Sequence, residues 1–250
     1  MMMSQSSGRR GVAWAIIGGI VLLAGIVAII VSAVLARPTP TPSATSNGTP
    51  SADPTTSGEP NPGPDPGGAV VDPTAADRGW TPEPITADAD TYIRAALAAA
   101  STFDTTKSTR EEWLDYLDTW FTPDTRFTAA ADQRAAMTDS QTELRQGVVL
   151  PQDEWDSLAG EDGRVVAVVT SDVTDVPVTD DGSGDMSIGT ADVTLSFTRS
   201  DGSGGETSYD DHVRVSVQVL CGSASVPTPD TDQRSGDCKV VRYFSEPLEP

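Results

Sequence analysis

The sequence predicts an α+β protein: a single N-terminal transmembrane helix, a disordered Pro/Thr-rich linker, then helices packed on one face of a curved antiparallel sheet. Three observations predict it. A charge-free apolar run covers residues 11–36, ten prolines lie between Pro38 and Pro73, and near Gly147 the apolar spacing changes from helical to alternating. Helical signals followed by strand signals give segregated layers, unlike the interleaved pattern of a parallel sheet.

The run from Gly11 to Ala36 holds 26 residues, and only Ser32 carries a side-chain polar group of consequence. A helix of that length is roughly 39 Å long, enough to cross a hydrocarbon core ~30 Å thick with some tilt. It exceeds the ~7–15 apolar residues of a signal peptide, although Val34-Leu35-Ala36 has the form of a cleavage site. The uncleaved anchor is the preferred reading. Arg9 and Arg10 precede the run and only Arg37 follows it closely. The stub 1–10 is therefore assigned to the cytoplasm and the C-terminal bulk to the outside of a single-pass membrane protein. The lipid bilayer is thus the first expected partner, through residues 11–36. Within the run, Ala24, Ala28, Ser32 and Ala36 recur every four residues, and small side chains at that spacing make a candidate helix–helix face for self-association.

Residues 37–79 read as the linker. Their Pro, Thr, Ser and Gly content leaves too little apolar surface to offset the entropy of ordering. In extended polyproline form, at ~3.1 Å per residue, they reach up to roughly 120 Å. The part beyond residue 37 holds all 37 acids against thirteen bases, a net −24. Such a surface repels phosphates, which excludes nucleic acid as a partner; solubility is its simplest account, ahead of an acidic docking face.

Residues 80–250 form one extracytoplasmic α+β domain, long enough for a single core. From Asp88 to Phe103, Ile93, Ala96, Leu97 and Ala100 follow helical spacing, with Asp88 and Asp90 at the start. Ser108 or Thr109 caps a second helix, with Glu111 or Glu112 as the reciprocal partner. Thr122-Pro123 ends it and is expected to start a short third helix carrying Phe127; residues 129–147 are helical in part. Val165–Val169 reads as a strand buried on both faces or at a sheet centre. Val193, Leu195 and Phe197 alternate with polar residues, as do Val213, Val215, Val217 and Val219. Cys238–Phe244 closes a sheet of four or five strands, with Val241 and Tyr243 on one face and Val240, Arg242 and Phe244 on the other.

Cys221 and Cys238 bracket sixteen residues. Outside the membrane they read as one disulfide, contributing ~3 kcal/mol on the chain-entropy model; a metal site would need further thiols or histidines. His212, the only histidine, follows Asp210 and Asp211. A general base with carboxylate partners is conceivable, but alternation sets it opposite the Val213 series, as a solvated residue at the start of a strand. Asp230, Asp232 and Asp237 are spaced loosely like a calcium loop, yet Arg234 stands at a ligand position and Val241 at the twelfth. They read as a polar hairpin tip. No nucleophile elbow, phosphate-cradling loop or metal-spaced cluster occurs in this domain, so no catalytic residue, metal or cofactor is assigned. Trp113, Tyr116, Trp120 and Phe121 share one helix face. They either pack helix against sheet or line a cavity.

The helix Tyr92–Phe103, the stretch from Thr109 to Phe127 and the strand Val213–Leu220 carry a resemblance. Their order resembles the nuclear-transport-factor-two-like cone. The whole layout resembles bitopic assembly proteins of bacterial conjugation and type IV secretion, and transporter-accessory proteins of actinobacteria share the outline. The resemblance implies scaffolding in a membrane complex with protein partners, and it transfers no catalytic residue. Three functions compete on these grounds: a non-enzymatic assembly module, a membrane-anchored small-ligand-binding or transporter-accessory domain, and an enzyme built on His212 or a carboxylate pair. The first is preferred.

Overall fold

The computed structural model describes residues 68–248. The stub 1–10, the apolar run 11–36 with Ala24, Ala28, Ser32 and Ala36, and the linker up to residue 67 lie outside the described residues. Among those described, no helix is long and apolar enough to cross a membrane.

The last residues assigned to the linker belong to the fold. Val70 bridges Pro84 antiparallel, Val71 N–H donates to the Glu83 carbonyl, and Ile85 N–H donates to Ala69. Ala75 is fully buried and Trp80 nearly so; the Trp80 ring stacks on Tyr116 at 4.9 Å. Proline content indicates disorder only where no large side chain finds a core, and Trp80 finds one. Gly79 turns this arm at a φ of 77°, with its α-carbon so close to Asp104 that a Cβ would lie 2.4 Å from the Asp104 side chain.

Helix α1 (Ala89–Ala99) is capped by Asp88, whose carboxylate accepts from Thr91 N–H at 2.8 Å. It buries Tyr92, Ile93, Ala96 and Leu97, and a Cβ on Gly189 of the sheet would meet the Ile93 side chain at 2.6 Å. The helix stops short of the expected Phe103, which instead forms strand β1 (Phe103–Asp104). Helix α2 (Arg110–Asp118) has a full capping box between Thr109 and Glu112. No helix follows at Thr122-Pro123. The Asp124 carboxylate takes the backbone N–H of Arg126 and pairs with its guanidinium, so local side-chain bonds replace a helical turn and leave Phe127 exposed. Helix α3 (Ala130–Glu143) runs into a π-helical turn (Leu144–Val148) that buries Leu144. Helix α4 (Gln152–Ala159), which the sequence did not announce, delivers Trp155 and Leu158 to the core.

Six strands complete the sheet: β1, β2 (Arg164–Val169), β3 (Thr174–Pro177), β4 (Met186–Ser200), β5 (Glu206–Leu220) and β6 (Lys239–Phe244). Their order is β1-β2-β4-β5-β6, all antiparallel, with β3 on β4 beyond the end of β2. Helices pack on one face of this curved sheet. Strand β2 is buried on that face only: Val165 and Ala167 point inward, whereas Val166 is 48% exposed on the other side. Strand β6 departs from simple alternation as well. A bulge opposite Gln218 and Val219 adds one residue, so Val240 and Tyr243 both reach the main core. Val241 turns outward into a small second cluster with Met186 and Leu220. Across the outer face the C-terminal segment is pinned where Leu248 N–H donates to Ser216 Oγ and Thr190 Oγ1 donates to the Leu248 carbonyl.

Candidate functional site

At one end of β5 and β6 sits a charged pair inside the protein. Glu83 is 0% and Lys239 1% exposed, and Lys239 Nζ donates to Glu83 Oε1 at 2.9 Å. The ammonium also donates to the Thr119 carbonyl at 2.7 Å and to Thr228 Oγ1 at 2.8 Å, with Gln233 Oε1 farther off at 3.4 Å, so its three protons are all satisfied. Glu83 Oε1 further accepts from the Tyr92 hydroxyl and from Gln233 Nε2. Glu83 Oε2 has no hydrogen-bond partner among the described residues. Burial pushes the Glu83 carboxyl up and the Lys239 ammonium down, each opposed by its partner's charge. Burial likewise raises the Tyr92 phenol, which stays protonated as a donor.

This cluster ties β6 to four distant segments: the N-terminal arm, α1, the end of α2 and the loop after Cys221. Cys221 and Cys238 are disulfide-bonded, and Cys238 N–H donates to the Thr86 carbonyl. Neither Glu83 nor Gln233 could be singled out from sequence. Lys239 left a trace, because one of only two lysines sits there between Cys238 and Val240 in an apolar strand.

Trp113, Tyr116, Trp120 and Phe121 are all buried. Trp113 packs between Phe103 and Trp155, with ring centroids at 4.9 and 5.5 Å. Trp120 meets Tyr92 and Tyr116, and Phe121 meets Tyr243. These rings fill the space between α2 and the sheet. Open space lies instead at the rim, in a cleft of about 260 Å³ bordered by Phe103, Val148, Leu150, Leu195 and Phe197. A second cleft of about 190 Å³ adjoins it through Leu150 and Phe197 and extends to Glu154, Glu161, Arg199 and Tyr209. The Phe197 and Tyr209 rings stack at 4.9 Å and 3°, and Tyr209 is half exposed. This ledge was hidden in sequence, because α4, whose Glu154, Ser157 and Leu158 wall it, carries no capping signal.

His212 lies well inside β5, six residues past its start, not at a strand end. Its Nδ1 is 3.0 Å from Thr194 Oγ1 on the outer face, alongside Ser196–Asp210 and Thr198–Ser208 pairs. Neither cleft includes it. Asp237 accepts from Arg234 N–H and closes a turn. Asp230 sits at a φ of 60°. Among the described residues no group of three or more His, Cys, Asp or Glu is arranged to hold a metal.

No family model and no curated protein matches this chain. Two solved structures do. One is an IcmL-like type IV secretion system protein from Legionella pneumophila, at 13% identity and a TM-score of 0.37, covering 63% of this chain and 88% of that one. The other is CagV, a VirB8 homolog of the type IV secretion system of Helicobacter pylori, at 16% identity and a TM-score of 0.29, covering 56% and 82%.

Proposed function

We propose that this chain is a non-enzymatic, membrane-anchored interaction module that works outside the membrane as one component of a conjugative transfer or secretion complex. One observation carries the reading. Between helices and sheet, where a ligand-binding cone keeps its cavity, Trp113, Trp120, Tyr92, Phe103 and Trp155 pack against one another. A domain with a filled interior acts through its surface, and that surface includes the exposed outer half of β5 and a rim of clefts. The apolar run 11–36, the acidic bulk and the resemblance of the layout to bitopic assembly proteins support the same reading.

Crosslinking the full chain in membranes, followed by purification in mild detergent, tests it. Recovery of a membrane ATPase or channel subunits is the expected result, and a solitary monomer would end the proposal. The rim cleft of about 260 Å³ favours a second reading, a small-ligand-binding accessory. It falls slightly below the ~300–1,000 Å³ common for ligand sites. Leu195→Trp, which fills that cleft, would abolish ligand uptake and leave assembly intact if this second reading were right.

A further inference from the structure

Strand β5 is fifteen residues long, yet β6 pairs with it only from Ser216 onward. On that side, no described strand pairs with its first ten residues, and Glu206 to His212 are exposed throughout. His212 N–H is not given to β4; it bonds to the Asp211 carboxylate at 2.8 Å. Antiparallel pairing alternates, so residues in step with His212, namely Asp210 and Ser208, also turn N–H and C=O toward the vacant side. An unpaired row of this kind is a template for another strand.

We propose that the Glu206–His212 edge is a docking rail for an extended segment of a partner protein in which basic and apolar residues alternate. The proposal rests on the interaction-module reading and names its partner. Charge selects the basic residues. Asp210 lies on the outer face of the rail and Asp211 beside Tyr209 on the inner face, where the adjoining cleft adds Glu154, its Glu161 being already paired with Arg199. A second copy of the same edge would set these carboxylates against their own kind, which destabilises a strand pair. Apolar selection comes from Tyr209, whose half-exposed ring faces the concave side with Phe197 behind it. An added strand sends alternate side chains to opposite faces, so one row meets Tyr209 and the other meets the polar outer face.

The full chain in lipid nanodiscs is mixed with a synthetic peptide alternating lysine and valine, and backbone hydrogen exchange is followed. The expected result is exchange slowed about tenfold or more at Ser208, Asp210 and His212, since strand addition protects those amides. The same peptide with its edge-facing amides N-methylated gives no protection, and Asp210→Lys with Asp211→Lys abolishes binding of the unmodified peptide while leaving the ribbon folded. Equal protection by the N-methylated peptide would reduce the interaction to charge attraction and overturn the proposal. So would absent protection, or protection that grows with the concentration of the chain alone and marks a second copy on the rail. Loss of the rail with channel subunits still recovered by crosslinking sinks this inference and spares the broader reading; a solitary monomer sinks the broader reading itself.

Discussion

The two ends of β4 and β5 are built on opposite plans. Fifteen residues of strand span roughly 50 Å, and at the β6 end every chain segment is tied to another. The Cys221–Cys238 bond, the Glu83–Lys239 pair and the bulged β6 lie there, and the outer edge of β6 is covered by Trp120 and Thr122, which exchange backbone hydrogen bonds with Val240. The far end is a ribbon with a Gly-rich turn at 201–205, side-chain pairs open to water, and no strand on its β5 side among the described residues. The contrast teaches where this fold keeps its stability and where it keeps surface available. Rigidity is gathered at one end by links between segments far apart in sequence. At the other end support comes from neighbouring strands and from the loop after α4, where Ser200 N–H donates to the Glu161 carbonyl and Arg199 pairs with the Glu161 carboxylate.

Substitutions break or sharpen this contrast in a definite order. Lys239→Met has the largest expected effect, a loss of about 3–5 kcal/mol in denaturant unfolding, because Glu83 is left buried without its counter-charge. Adding Glu83→Gln should restore most of that loss. The pH dependence of Lys239→Met has a fixed sign. Its Glu83 carboxyl, already raised by burial, loses the charge that held it down, so stability is greatest below the ordinary carboxylate value. That stability is lost as pH rises through the raised folded value. Unfolding curves at acid and neutral pH check this directly.

Next in size, Cys221→Ser with Cys238→Ser should cost ~3 kcal/mol, read in the same way under non-reducing conditions. Thr109→Ala, which belongs to neither end, removes both bonds of the capping hydroxyl, from Glu112 N–H and to Glu112 Oε2, and should cost about 1 kcal/mol. Smallest is Thr198→Ala on the ribbon, where loss of the exposed pair with Ser208 should cost under about 0.5 kcal/mol, checked by calorimetry. A ribbon substitution costing as much as the Lys239 change would erase the contrast.

Sequence revealed what local pattern governs. The cap at Thr109, the helical spacing through Ile93 and Leu97, and the alternation from Val213 to Val219 each depend on near neighbours, and the order of layers followed from them. Elements set by distant contacts were not legible. Strand β2 does lie inside the sheet, between β1 and β4, but the burial on both faces that its apolar Val166 and Val168 suggested is absent, because only the helix-bearing face of the sheet is fully covered. The bulge that lets Val240 and Tyr243 share a face depends on pairing with β5, which no alternation within β6 discloses. Helix α4 has no side-chain cap and only two buried residues, too few to stand out from a loop. Glu83 and Lys239 are 156 residues apart and meet only in the folded chain. The clefts, likewise, exist only where α4 and the ribbon come together.

The clamp on the N-terminal arm has a mechanical consequence. Tension applied to the chain at Gly68 meets the short pairing of residues 69–71 with 83–85 first, and Glu83 then hands it to Lys239 on β6. The load passes from the first described residues to the last strand without crossing α3 or α4, so the domain resists being pulled by its N-terminus at the place where its crosslink and its buried charges coincide.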